Sequence, residues 1–221
     1  MKLNLLIAFL IFSNSLFSQG YTPKNGDLLF QDLDCGDFCD AIEKVTQGVY
    51  NYNFSHVGIL VEENGNFKVI EAGGNGVVYT PLNEFLNRTS DENGNPKVVV
   101  GRLKNVNAQS LGIDINKSVE LTKTHLGKPY DDGFVLNNNQ FYCSELVYEC
   151  FLDASGNSVF QTFPMTFKDS ETNEIFPAWD NYFDGLTLNI PEGELGLNPG
   201  GISRSSLIEI VHQYGNPSSK E

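Results

Sequence analysis

Cys143 stands in the run Phe141-Tyr142-Cys143-Ser144-Glu145-Leu146-Val147, directly after the polar stretch Asn137-Asn138-Asn139-Gln140. The apolar spacing of Leu146, Val147 and Cys150 predicts a helix from Cys143 to Phe151. A cysteine in the first turn of such a helix faces unpaired backbone N–H groups and the positive end of the helix dipole, which both favour thiolate over thiol. That is the state a nucleophile needs, and the same amides could receive the oxyanion formed when sulfur attacks a carbonyl. The competing reading is an ordinary core thiol. It suffices for Cys150, which lies two turns further in with no polar neighbour.

A base for that thiol is found far upstream. Asn64-Gly65 marks a hairpin turn between Val57–Val61 and Phe67–Ala72. Centring the turn there pairs Glu62 with Phe67, Leu60 with Val69 and Gly58 with Glu71, all on one face. His56 joins that face two places along, and its ring lies diagonally across from the Glu71 carboxylate. A one-residue slip would put the two on opposite faces, leaving a strand-end histidine and a solvent-facing acid. Gly127-Lys128-Pro129-Tyr130-Asp131 reads as a helix stop and turn just before Cys143. Tyr130, Asp131 and Tyr142 are the candidate substrate contacts. His125 reads as a helix-end residue and His212 as a C-terminal surface residue.

The elements that must position these groups follow from the pattern. Strands are expected at Gly26–Phe30, Gly76–Thr80 and Val98–Leu103, helices at Asp40–Thr46 and Ser118–Leu126, and a helical turn at Pro81–Leu86. Gly48–Asn53 reads as a loop, Asp153–Gly201 as long ordered loops, and Ser206–Val211 as a strand or helix. Phe160, Phe163, Phe167, Phe176 and Phe183 in the long segment read as ordinary core, with the lining of an apolar groove as the rival.

Gly26-Asp27-Leu28-Leu29-Phe30, Ser55-His56-Val57-Gly58-Ile59, Val69-Ile70-Glu71-Ala72, Gly127–Asp131 and Tyr142–Val147 together resemble the YiiX/YebB-type branch of the NlpC-like cysteine hydrolases. This is the circularly permuted branch, in which the Cys-Ser helix follows the Gly-Asp and His-Val-Gly-Ile strands. The resemblance implies an α+β, permuted papain-like (NlpC-type) fold: an antiparallel sheet or small barrel packed against the helix bearing the nucleophile. It implies Cys143 as nucleophile, His56 as general base and acid, and Glu71 as the group orienting the imidazole. No cofactor or metal is expected.

The chain has 221 residues, 28 Asp+Glu against 14 Lys+Arg, and a formal net charge of −14. Its length fits one catalytic domain, residues 19–221, and its acidity argues against nucleic acid as a partner. Lys2, the apolar run Leu5–Phe12 and the small residues to Ser18 form a signal-peptide pattern over 1–18, too short for a membrane anchor. A periplasmic or secreted protein follows. Cys35 and Cys39 are then expected as a local disulfide or two buried thiols rather than zinc ligands, whereas a helix holds Cys143 and Cys150 about 10 Å apart, beyond disulfide reach. The expected reaction is amide cleavage in cell-wall-type peptides through a thioester. A lipid amidase, thioesterase or acyltransferase acting on an acylated amine is the second reading. A non-catalytic exported binding module is the third, against which the joint presence of Cys143, His56 and Glu71 speaks.

Overall fold

The computed structural model describes residues 20–219. The expected signal peptide, residues 1–18, lies outside them. The first part of the chain forms β1 (Leu28–Gln31), α1 (Asp37–Val45), β2 (His56–Glu63), β3 (Asn66–Gly73), β4 (Gly76–Pro81), α2 (Leu82–Leu86) and β5 (Val98–Leu103). Then come α3 (Asn105–Leu111), α4 (Ile115–Thr124), α5 (Cys143–Cys150), β6 (Phe163–Pro164), α6 (Pro177–Leu186), β7 (Leu195–Gly196), α7 (Pro199–Ser203) and β8 (Ile208–Gln213). Six strands make one antiparallel sheet in the order β4-β3-β2-β1-β5-β8, open at β4 and β8 rather than closed as a barrel.

Alternation along the strands divides the core in two. Leu28, Phe30, Val57, Ile59, Ile70 and Val99 face a layer completed by Leu146, Val147 and Cys150 of α5. Leu29, Leu60, Val69, Val98 and Val100 face Leu82, Phe85 and Leu86 of α2. The β2–β3 hairpin has the expected register, with Leu60 opposite Val69 and Glu62 opposite Phe67. Asn64 and Gly65 both take positive φ, 52° and 75°, the requirement of a two-residue turn whose twist matches the strands. Gly58 is dictated by packing. A Cβ there would lie 2.3 Å from Val69 Cγ1 and 3.1 Å from the Phe85 ring. Its absence lets Phe85 close on the sheet just below His56.

Several expectations are corrected. α1 starts at Asp37, inside the Cys35–Cys39 disulfide, three residues before the expected start. α4 starts at Ile115 because the Asp114 carboxylate caps it, accepting from the Asn116 and Lys117 amides. α3 lies in a stretch with no expected element. Within 153–201, α6 and α7 form, each with Pro in its first turn, and β6 pairs with β7. Trp179 and Phe183, one turn apart, bury the inner face of α6 against Phe134 and Phe167. His212 lies half-buried on the edge strand β8, between Tyr21 and Tyr214, with ring centroids at 4.5 and 4.4 Å. His125 does end α4, against Phe141. Among the described residues no helix is long and apolar enough to cross a membrane.

Phe85 is fully buried and supports both the second core layer and the His56 ring. Replacing it with Ala should lower the unfolding free energy by about 3–5 kcal/mol in a denaturant titration, the usual cost of a large aromatic cavity.

Candidate active site

His56 is the first residue of β2, and its Nε2 lies 2.6 Å from Glu71 Oε2 on β3. The acid is buried, as is the histidine. A carboxylate out of water needs donors, and the fold supplies them. Thr80 on β4 donates its hydroxyl to Oε1. Arg88, in the turn after α2, donates Nη1 to Oε2 at 2.7 Å and Nη2 to Oε1. Phe85 lies beneath both bases, its ring 5.9 Å from that of His56 and 5.1 Å from the Arg88 guanidinium.

Cys143 opens α5, which packs on the opposite face of the sheet, and its sulfur reaches round the end of β2. There the His56 side chain and the Val57 N–H lie close enough to stabilise its thiolate form. Since Nε2 is committed to Glu71, Nδ1 is the ring nitrogen left for the sulfur. Ser144 Oγ lies 3.8 Å from Sγ. Burial opposes thiolate formation, but the hydrogen bond and positive charge of His56 outweigh it and lower the Cys143 pKa. For His56, burial works against the imidazolium, yet its bonds to Cys143 and Glu71 raise its pKa to about 9. Burial would raise the Glu71 pKa. His56, Arg88 and Thr80 bring it down to about 2. The arrangement favours an imidazolium–thiolate pair.

The other expected residues divide. Tyr142 is the N-cap residue of α5. Its ring is buried, and its hydroxyl accepts from the Leu197 N–H at 3.1 Å. No side chain caps the first-turn amides of α5, which leaves the Cys143 N–H for a ligand. Glu145, at the third position of α5, is buried, and burial raises its pKa to about 8. Tyr130 stands beside Cys143, and burial followed by that cysteine's charge keep its phenol protonated. Asp131 is spent on its own loop: Oδ1 accepts from Gly133 N–H at 3.0 Å and Oδ2 from Val135 N–H at 2.7 Å. Thr80 and Arg88 were not singled out in the sequence. Thr80 was accessible, since it sits two residues from Val78, the β4 partner of Glu71.

Two openings meet at this centre. A cavity of about 270 Å³ carries Cys143 in a largely apolar wall with Val45, Phe163, Met165, Phe167 and Trp179. A groove of about 450 Å³ is lined by His56, Glu71, Arg88, Asn75, Asp132 and Tyr182. Ile42 of α1 and Tyr130 line both. Phe160, Phe167 and Phe183 are core residues, as expected, with Phe167 also lining the cavity, whereas Phe163 is only half-buried and serves as cavity wall.

The sequence pattern of a family described as permuted papain-like amidase enzyme, YaeF/YiiX, C92 family, matches residues 22–207. The chain is 34% identical over 162 residues to the uncharacterized protein YiiX of Escherichia coli K12, covering 72% of this chain and 71% of that one. A crystal structure titled metalloprotein yiiX from Escherichia coli O157:H7 superposes with a TM-score of 0.67 at 27% identity, over 88% of this chain and 99% of that one. In this chain, among the described residues, no group of three or more His, Cys, Asp or Glu could hold a metal ion, and Thr80 and Arg88 already occupy the Glu71 carboxylate.

Iodoacetamide should alkylate Cys143 well below the ordinary thiol range of about 8.5. Cys150, whose pKa burial pushes up to about 12, should stay unmodified on mass mapping. Because the ion pair needs both a lost thiol proton and a retained imidazole proton, the pH profile of turnover should be a bell, with its alkaline limb near 9.

Proposed function

The chain belongs to the permuted papain-like amidase family, and from that premise we propose that it hydrolyses an amide through a thioester on Cys143. The observation that carries this reading is the run of contacts from Glu71 through His56 to Cys143. The thiolate attacks the carbonyl carbon, and the C–S bond forms as the carbonyl electrons move to oxygen, where the Cys143 N–H receives them. His56 gives its proton to the nitrogen as the C–N bond breaks and the amine leaves. His56 then takes a proton from water, the hydroxide attacks the thioester, and the C–S bond breaks to release the acid. Glu71 holds the ring in one orientation throughout.

The two openings support a reading in which each holds one half of the substrate. Carbon bonded to sulfur must extend into the Cys143 cavity, and nitrogen protonated by His56 must leave along the groove. Between the two substrate readings, the aromatic and thioether wall favours an acylated amine with an apolar acyl part over a cell-wall peptide, whose amides would go unpaired there. Export is part of this proposal, supported by the leading sequence pattern and by the Cys35–Cys39 disulfide.

Incubation with N-acyl amines of increasing chain length and with muropeptides, followed by mass spectrometry, tests the reading. Acylated Cys143 and chain-length-dependent turnover are expected, with loss of both in Cys143→Ala; turnover unchanged in Cys143→Ala would refute it. Val45→Trp, which fills the cavity, should raise KM for long acyl chains about tenfold or more and spare short ones, since each buried CH₂ is worth about 0.8 kcal/mol.

A further inference from the structure

The geometry points to Arg88 as a positioning residue that keeps the Glu71–His56–Cys143 chain charged and aligned, a proposal that rests on the catalytic reading above. Glu71 is nearly enclosed, and a lone carboxylate–imidazolium contact out of water can relax by moving the proton from nitrogen to oxygen. The neutral acid and neutral imidazole that result would leave the thiolate without its cation. Arg88 blocks this route. Its two terminal nitrogens contact both Glu71 oxygens, the fork-to-fork arrangement that is the strongest form of this pairing. Thr80 adds a neutral donor to one of those oxygens, so among the described residues the only cations on the carboxylate are Arg88 and the imidazolium itself.

The titratable groups facing this chain come from several elements, with Asp132 and Tyr182 across the same groove. His56 comes from β2, Thr80 from β4, Arg88 from the turn after α2, Cys143 from α5, and Tyr130 from the loop before it. Arg88 Nη1 and His56 Nε2 share Glu71 Oε2, so the carboxylate bridges the two cations and offsets the charge of both. Two features show that the guanidinium is placed rather than incidental. Phe85, the ring that underlies His56, also underlies Arg88, and Gln31 Nε2 ties the Phe85 carbonyl to β1 at 2.8 Å. About a third of the Arg88 side chain faces the groove, so solvent-borne molecules can reach its place.

The test is the pH dependence of Cys143 alkylation by iodoacetamide, which needs no knowledge of the substrate. In Arg88→Ala the Glu71 pKa rises, and the acid limb should move up by about one unit or more, a tenfold slower reaction on that limb. Low-millimolar guanidinium chloride, far below denaturing levels, should move it back, whereas sodium chloride should not. Arg88→Lys, which keeps charge but loses the fork, should fall between the two. It also decides the question if the alanine variant fails to fold. A merely structural Arg88 would lower the melting temperature and leave the limb and the guanidinium response unmoved, which would overturn the proposal. An ordinary, unactivated thiol in the wild type would instead overturn the catalytic reading beneath it.

Discussion

A carboxylate sealed inside a protein dictates much of what surrounds it. Glu71 is inside because its strand, β3, is paired on both sides and its face is closed by Phe85. Transferred there alone it would take up a proton, and the folded state answers with the imidazole, the hydroxyl and the guanidinium. Each comes from a different element, and each element is fixed by the sheet. β2 and β4 flank β3 by register, and α2, which follows β4 without a gap, turns the chain back so that Arg88 arrives over the same face. The charge network is thus a consequence of strand pairing.

The sulfur arrives by another route. α5 belongs to the opposite layer, and its apolar residues anchor it against Val57, Ile59 and Ile70. Only because His56 is the first residue of its strand can a group from that layer meet the ring around the end of the sheet. This explains why chain order is free to change in such a fold. The hairpin and the helix are independent units that meet at one edge, and either may come first.

Much of this was legible from residue types alone. The Asn64-Gly65 turn fixed the pairing of His56 with Glu71, because a two-residue turn leaves one register and side chains alternate strictly. Cys143 at a helix start was legible from the polar run before it and the apolar stripe after it. Arg88 was not, since an arginine after a helical turn looks like any solvated charge until the acid it meets is known to be buried. Asp131 misled for the converse reason: an Asx turn satisfied by its own backbone looks, in sequence, like an acid held ready for a ligand. α6 went unread because its helical spacing, Trp179 to Phe183, lies among Pro, Asn and Gly residues that suggest loops.

The aromatic segment that obscured α6 also shapes the cleft. Phe38 of α1 packs on Trp179 and Tyr182 of α6, with centroids at 5.4 and 4.6 Å, and the disulfide closes the first turn of the same helix. α1 is therefore held from two sides, and its Ile42 lines both the cavity that holds Cys143 and the groove that holds His56 and Glu71. Ser55 and Tyr130 join Ile42 in lining both openings, so the two meet along one wall. The shape of that wall is thus set by the packing of α1 on α6 and by the disulfide, rather than by any polar contact of the catalytic centre.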